Sequence, residues 1–342
     1  MTQPSLPAAM TAIVVETPGG PDALVAASIP LPELAPGDVL IRVAAAGLNG
    51  ADLSQRRGNY APPPGAVNRI GLEVSGKIVA VGADAGRWRP GDRVVALTNG
   101  GGYAEYAAVP HSQVLPLPSG WSLVEGAALP ETFFTVMQAL VMRTGLASGM
   151  TVLCHGGASG IGGTVITIGN ILGARTLAVV SSAEKAAYAM AMGAAATIDR
   201  TTEDIVARTR ELTDGRGADR IVDMVGGPTT VANLDAAAVK GQIVMIALPA
   251  GGTAELSLAK IVMRELSLHG SRLRPQTSAD KAAVAARLRA DVWPALAQPA
   301  TPRPRIRTFA LADAASAHVA MESAAHFGKI LLVSEFGQSS EN

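Results

Sequence analysis

The stretch His155-Gly156-Gly157-Ala158-Ser159-Gly160-Ile161-Gly162-Gly163 decides the fold. Met150 to Cys154, just before it, is a short apolar run that reads as a buried strand. Val165, Ile166, Ile168, Ile171 and Leu172 then recur at helical spacing within Gly162 to Leu172. A strand, a tight glycine turn and an apolar helix form the context in which such glycines cradle a phosphate. The turn lets the backbone approach a pyrophosphate, and the helix start offers free N–H groups and a positive dipole end. The expected dinucleotide contacts are Gly157, Ala158, Ser159, Gly160, Ile161 and Gly162. The loop departs from a strict GxGxxG because Ser159 holds the second glycine position; its hydroxyl either donates to the pyrophosphate or is tolerated bulk.

Downstream the pattern alternates. Strands are predicted at Thr176–Val180, Ala196–Ile198, Arg220–Met224, Gln242–Ala247 and Leu266–Gly270. Helices are predicted between them, at Ala183–Met192, Glu203–Leu212, Thr229–Ala238 and Leu256–Met263. Short β and α pieces in strict alternation predict a doubly wound parallel sheet. Upstream, strands at Thr11–Val15, Val39–Ala44, Val74–Val81, Arg93–Ala96 and Tyr103–Val109 are punctuated by Pro and Gly, which suggests an irregular β-barrel or sandwich. Ala127 to Leu146 reads as one helix that starts near Pro130 and Glu131. After a helix at Ala279–Leu296, the strand Arg305–Ala310, helix Ala312–Ala324 and strand Lys329–Val333 break the alternation and are expected to return to the first domain. The expected division is therefore 1–130 plus 272–342 for one domain and 131–271 for the dinucleotide-binding domain.

With 342 residues, 48% of them hydrophobic, the chain can fill two cores. A formal net charge of +0 gives no reason to expect nucleic acid or an anionic membrane as partner. A single cysteine, Cys154, excludes an intramolecular disulfide and a multi-thiolate metal site; it reads as a small core residue. No stretch is long and apolar enough to span a bilayer, and MTQPSLPAAM lacks the basic flank of a signal peptide, so a soluble cytoplasmic protein is expected. The tail Gly337 to Asn342 is expected to fray.

The chain resembles the zinc-free medium-chain dehydrogenases/reductases, and among them the quinone oxidoreductase family of the p53-inducible type. The residues that carry this are Gly47-Leu48-Asn49, Ala51-Asp52-Leu53, Gln55 to Tyr60, Pro62 to Ala66, Gly71-Leu72-Glu73, Pro90 to Val94, His155 to Gly162, Val180-Ser181-Ser182 with Lys185, Gly270 to Arg274, and Gly328-Lys329-Ile330. They follow the family's order across nearly the whole chain. The resemblance implies a Rossmann-type domain plus an irregular GroES-like β-barrel catalytic domain, and a homodimer through the edge strand Leu266–Gly270. A short-chain dehydrogenase is the rival reading of the glycine loop. It requires a Tyr-x-x-x-Lys pair, and none of Tyr60, Tyr103, Tyr106 and Tyr188 is followed by Lys at that distance.

The resemblance puts Asn49 and Leu72 where zinc-dependent relatives carry Cys and His, with Glu131 near a third ligand position. Leucine cannot ligate zinc and an amide oxygen is a poor ligand, so no metal is expected. His111 and His318 read as surface or packing histidines. Without a Lewis acid, a simple alcohol is a poor substrate, and a quinone or activated alkene is a better one. The second sheet strand ends in Ser181-Ser182 with Lys185 following and no acid at its tip, which favours the 2′-phosphate of NADPH. Lys185, one of six lysines, is otherwise a solvated helix residue. Arg200 either serves the same phosphate or pairs with Asp199. Val225 and Leu248 fall where cofactor-facing loops occur.

By resemblance, Asn49, Tyr60 and Thr135 stand near the nicotinamide. Asn49 bridges ribose and ring, Thr135 bonds the carboxamide, and Tyr60 either stacks on and donates to the acceptor or packs on Pro62–Pro64. Arg272 and Arg274 fasten the outer end of the cofactor or the dimer edge. Gly328 and Lys329 resemble the family's C-terminal cofactor contact; Lys329 is otherwise a strand-edge lysine. No obligate acid or base stands out, and water is the expected proton source. These readings imply an NADPH-dependent quinone oxidoreductase. An enone or enal double-bond reductase, or an NADPH-binding protein with incidental catalysis, are the alternatives.

Overall fold

The computed structural model describes residues 6–323 and 326–340. In chain order its strands and helices are β1 (Ala9–Val14), β2 (Val25–Pro30), β3 (Asp38–Gly47), α1 (Gly50–Arg56), β4 (Glu73–Val81), β5 (Arg93–Leu97), β6 (Tyr106–Pro110), β7 (Val114–Pro116), α2 (Leu123–Gly126) and α3 (Pro130–Val136). Then come β8 (Thr151–Cys154), α4 (Gly160–Ile171), β9 (Arg175–Val180), α5 (Ala183–Ala191), β10 (Ala196–Asp199), α6 (Ile205–Glu211), β11 (Ala218–Asp223), α7 (Pro228–Ala236), β12 (Ala237–Met245), α8 (Leu258–Met263) and β13 (Ser267–Gly270). The chain ends with α9 (Ser278–Asp291), α10 (Trp293–Leu296), β14 (Ile306–Ala310), α11 (Ala314–Glu322), β15 (Lys329–Val333) and α12 (Glu335–Ser340).

The chain divides into two compact units. The first contains residues 1–131, 274–286 and 305–342; the second contains 132–273 and 287–304. In the second unit six strands form one sheet in the order β10-β9-β8-β11-β12-β13, every pair parallel. This is the doubly wound sheet that the alternation predicts, with its order reversing between β8 and β11. Leu153, Leu177, Ile198, Ile221 and Ile243 are fully buried in its core. Strands covered on both faces read as continuous apolar runs, which is why the sequence announced them.

In the first unit a seven-stranded sheet follows the order β14-β15-β3-β4-β5-β7, with β6 also pairing β3, and β1 pairs β2 separately. Antiparallel pairing of Leu331–Val333 in β15 with Ala45–Gly47 in β3 returns this late strand to the first unit. The irregular, mostly antiparallel sheet is the GroES-like partner of the parallel one.

Three local expectations need correction. The helix expected to start near Pro130 does start there, but it loosens at Met137–Arg143 into a π-helical run. In an almost wholly buried segment no polar stripe marks the turn spacing, so the widening leaves no trace in the sequence. The helix predicted across Ala279–Leu296 is two, α9 and α10, with Pro294 at the start of the second. The tail is not frayed as far as it is described. Ser334 Oγ donates to Val43 O at 2.6 Å, the Gly337 N–H donates to Ser334 Oγ, and the Arg42 guanidinium lies 4.5 Å from the Phe336 ring centre. Glu341 and Asn342, and Ala324 at the predicted end of α11, lie outside the described residues. Among the described residues no helix is long and apolar enough to cross a membrane.

A Cβ at Gly337 would lie 2.1 Å from Ala44 O, so only glycine fits against β3. Gly337→Ala is expected to destabilise the first unit by about 1–3 kcal/mol, as overpacking does. Urea unfolding checks this; an unchanged midpoint would mean that the tail is not packed.

Candidate active site

The two units carry separate clusters of candidate residues. In the second unit, α4 starts at Gly160, and Ser159 is its N-cap: Ser159 Oγ accepts the Gly162 N–H at 3.1 Å. The serine therefore has a role of its own, satisfying one N–H of the first turn. The N–H groups of Gly160 and Ile161 have no intrahelical partner, as the geometry of a helix start dictates. Gly156 has φ of 65°, a conformation that suits glycine. A Cβ on Gly157 would meet the Ala178 side chain at 2.5 Å, and one on Gly162 would meet Gly156 O at 2.4 Å. Both glycines are needed for close packing of turn, strand and helix. Ala158 is buried and Ile161 half-buried beside them.

At the tip of β9, Lys185 Nζ donates to Ser181 Oγ at 3.3 Å, and Ser182 Oγ caps α5 by accepting the Lys185 N–H at 3.3 Å. The two serines and the lysine predicted to share one place do so. Arg200 is exposed, and Asp199 does not bond it: the Asp199 carboxylate accepts from the N–H and hydroxyl of Thr201 at 2.9 and 2.7 Å. The Arg200 charge still helps to hold the Asp199 carboxyl below its ordinary value, after the Thr201 hydrogen bonds.

The sequence reading missed Asp223, which organises the neighbouring loops. Its Oδ1 accepts the N–H groups of Val225 and Gly226, and its Oδ2 accepts Thr230 Oγ1 at 2.6 Å and Asn233 Nδ2 at 3.0 Å. Because Asn233 Nδ2 is the donor to Asp223, Asn233 Oδ1 accepts from His155 Nε2 at 2.7 Å. Burial holds the His155 imidazole below its ordinary value, so it stays neutral. The end of β8, the end of β11 and α7 are thus locked together. Leu248 is 46% exposed, and its loop packs on Gly226. Thr135 is buried in α3 and its hydroxyl makes no bond among the described residues. Arg272 is exposed. Cys154 is buried, and burial pushes its thiol up to about 12, which fits a core residue.

In the first unit the candidate residues converge on Glu73, which is wholly buried. Glu73 Oε1 accepts from Lys329 Nζ at 2.5 Å and from Asn49 Nδ2 at 2.8 Å; Oε2 accepts the Glu131 N–H at 2.9 Å. Lys329 Nζ also donates to Asn49 Oδ1 at 2.9 Å and Leu48 O at 3.1 Å. Lys329 is 4% exposed, so the alternative of a strand-edge lysine is wrong: a carboxylate and two carbonyl oxygens drew it inside. Gly328, with φ of 79°, makes the turn before it.

Asn49 precedes α1, and the Asp52 carboxylate reaches back to the Asn49 N–H at 2.8 Å and the Gly71 N–H at 3.1 Å. Burial pushes Asp52 up to about 7, against those two N–H groups. Behind it Tyr103 is hydrogen-bonded to Asp52, and burial raises its phenol well above the ordinary value. Tyr103 Oη lies 3.3 Å from His318 Nε2, and Arg56 Nη1 lies 3.3 Å from His318 Nδ1. Arginine only donates, so Nδ1 accepts and Nε2 carries the hydrogen toward Tyr103. Burial pushes His318 down to about 4, consistent with that neutral form. The expected packing histidine is one link in an ordered chain.

Tyr60 is half-buried, with the Arg274 guanidinium 5.4 Å from its ring centre. Arg274 is 4% exposed and donates to Gln55 Oε1 and Asn99 O, so it serves neither a dimer edge nor an exposed cofactor end.

The donor set does not suit zinc. Leu72 is buried and apolar, and both ends of the Asn49 amide are taken by Glu73 and Lys329. An ammonium, that of Lys329, already sits against the Glu73 carboxylate beside Asn49. Among the described residues no group of three or more His, Cys, Asp and Glu could hold a metal ion.

Comparison with known proteins agrees with this anatomy. Residues 35–119 match the alcohol dehydrogenase GroES-like domain family, and residues 160–288 match the zinc-binding dehydrogenase family. A quinone oxidoreductase of Pseudomonas aeruginosa is 32% identical over 317 residues, covering 92% of this chain and 97% of its own. The solved quinone oxidoreductase of Pseudomonas syringae pv. Tomato DC3000 superposes with a TM-score of 0.83 at 30% identity, covering 95% of this chain and 99% of its own. A mycobacterial protein solved with NADPH gives 0.82 at 30% identity, covering 95% and 99%. The chain belongs to the quinone oxidoreductase family of medium-chain dehydrogenases/reductases, and its class is oxidoreductase.

The buried Glu73–Lys329 pair gives a test. Lys329→Met leaves a carboxylate buried without its cation, and a loss of about 3–5 kcal/mol is expected. The double variant Lys329→Met/Glu73→Gln removes both charges and is expected to recover part of that loss. Denaturant unfolding of the set measures the coupling; additive effects would refute it.

Proposed function

We propose that the chain is an NADPH-dependent quinone oxidoreductase that works without metal. The observation that carries the cofactor choice is the Lys185–Ser181 contact at the tip of β9, where no acid stands to receive a ribose 2′-hydroxyl. A cation beside two hydroxyls suits a 2′-phosphate. When bound, the dinucleotide supplies the hydride. The residues from Gly157 to Gly162 hold its pyrophosphate at the start of α4. Ser181, Ser182, Lys185 and the exposed Arg200 receive the 2′-phosphate, and Val225 and Leu248 flank the cofactor. The free Thr135 hydroxyl takes the carboxamide, and Arg272 contacts the outer end.

In the first unit Asn49 and Tyr60 orient the acceptor and ring. The Gly328 turn places Lys329, whose ammonium holds the Asn49 carbonyl oxygen and acts as a positioning residue. The same unit serves as the catalytic, substrate-binding domain and the parallel-sheet unit as the dinucleotide-binding domain. Support for the quinone comes from the relatives' name as quinone oxidoreductases and from the apolar Leu72, which cannot ligate a metal and so favours acceptors that need no Lewis acid. NADPH oxidation with 1,2- and 1,4-quinones, set against a panel of enones and enals, tests the reading. Quinone turnover is expected. Preference for enones would make the chain a double-bond reductase, and binding without turnover would leave only a cofactor-binding protein.

Lys185→Glu is expected to weaken NADPH binding by at least about tenfold, about 1.4 kcal/mol, while sparing NADH. Fluorescence titration with both cofactors checks this, and equal losses would refute the assignment.

We also propose a homodimer. Strand β13 leaves an open sheet edge, and Leu258, Val262 and Met263 just before it are 73%, 72% and 80% exposed. A second copy pairing there would cover both the edge and the apolar residues. Solution scattering is expected to give twice the chain mass, with monomers at high concentration as the refuting result.

A further inference from the structure

We propose that Glu131 is the proton donor that completes reduction of the acceptor. The inference rests on the quinone reductase reading and supplies the acid that the sequence did not reveal.

Three carboxyl groups, Asp52, Glu73 and Glu131, share one neighbourhood in the first unit with the ammonium of Lys329. Their hydrogen bonds differ. Glu73 accepts from Lys329, Asn49 and the Glu131 N–H, so both of its oxygens face donors. Asp52 accepts the N–H groups of Asn49 and Gly71 and is bonded by Tyr103. In both, each carboxyl oxygen is taken up by a donor. The Glu131 carboxyl accepts no hydrogen bond among the described residues, and the residue is only half-buried. It is the carboxyl of the three that is free to hold a proton and to give it away.

The two oxygens of Glu73 bind the Asn49 amide on one side and the Glu131 backbone on the other, so a single carboxylate fixes both. Burial, with Glu73 and then Asp52 facing it, pushes the Glu131 carboxyl up to about 8. Lys329 and Lys281 oppose that rise, and burial brings Lys281 itself down to about 8. Glu131 is therefore mainly protonated at neutral pH.

The step balances. A quinone that receives hydride gains one hydrogen and two electrons and becomes the hydroquinone monoanion. The O–H bond of the Glu131 carboxyl breaks, its proton forms the second O–H of the hydroquinone, and Glu131 is left as carboxylate. Solvent then returns the proton to Glu131.

Activity should need the protonated form, so kcat is expected to fall as pH rises through about 8. In Glu131→Gln, kcat is expected to drop about 10²-fold, and its fall with pH should vanish. NADPH affinity should stay unchanged, and Glu131→Asp should restore part of the rate with a shifted pH profile. A second readout needs no cofactor: infrared difference spectra of the protein alone, wild type minus Glu131→Gln. A protonated carboxyl band is expected near neutral pH that disappears as pH passes about 8. A band that titrates in the ordinary glutamate range, or a Glu131→Gln enzyme with the wild-type rate and pH profile, overturns the assignment. Absence of quinone turnover in the wild type would overturn the functional reading itself and the donor role with it, whereas a failed Glu131→Gln result in an active wild type sinks the donor role alone.

Discussion

The first unit depends on one buried contact, the Lys329 ammonium against the Glu73 carboxylate at the end of β3. Glu73 opens β4 and Lys329 opens β15, and both strands pair with β3 on opposite sides. The pair thus ties together strands from distant parts of the chain, just where β3 gives way to Asn49. A Cβ on Gly47 would lie 2.1 Å from Glu73 Oε1 and 2.7 Å from Ala127 O, so the carboxylate can reach this place only beside a glycine. Desolvating two charges is expensive, and such a pair is a poor source of stability by itself. Its return is geometric: each partner also bonds Asn49, and the amide is held at both ends.

The second unit solves the same problem, holding loops rigid around a ligand, with fewer charges. Asp223 collects two backbone N–H groups, a hydroxyl and an amide, and the amide orients His155. Ser159 and Ser182 cap the two helices whose starts lie in the proposed phosphate-binding region. Capping side chains stabilise a helix end by about 1 kcal/mol and, more to the point here, fix where it begins. A cradle built from backbone needs that fixed starting point more than it needs a particular side chain.

What the sequence disclosed follows from these differences. The parallel sheet was legible because buried strands and amphipathic helices change period in turn, and the glycine turn because close packing leaves no substitute for glycine at positions 157 and 162. The Ser181, Ser182 and Lys185 tip was legible because strand, cap and helix fixed it locally. Strand β2 was missed because its residues are largely exposed and show no clean alternation. Helix α1 was missed because it has only seven residues, and its cap depends on Asp52 reaching back to Asn49. The π-helical run was hidden by uniform burial. Lys329 could not be read as buried, since lysine is ordinarily exposed and the partner that draws it inside is Glu73, distant in the chain.

The same blindness explains why an acid was not found. Acid chemistry depends on which of several carboxyls is denied its donors, and that is a property of three-dimensional arrangement. Glu73, Asp52 and Glu131 are ordinary acidic residues in the sequence. Folding gives two of them donors on both oxygens and leaves the third with none, while burial and neighbouring charge raise its affinity for a proton. A zinc-dependent relative would use the metal's charge to stabilise a developing oxyanion. Here the Lys329 ammonium is already neutralised by Glu73, so it cannot serve a substrate in the same way. In the proposed reaction the substrate's negative charge is managed by another route: delivering a proton from the neighbouring Glu131 carboxyl removes that charge outright.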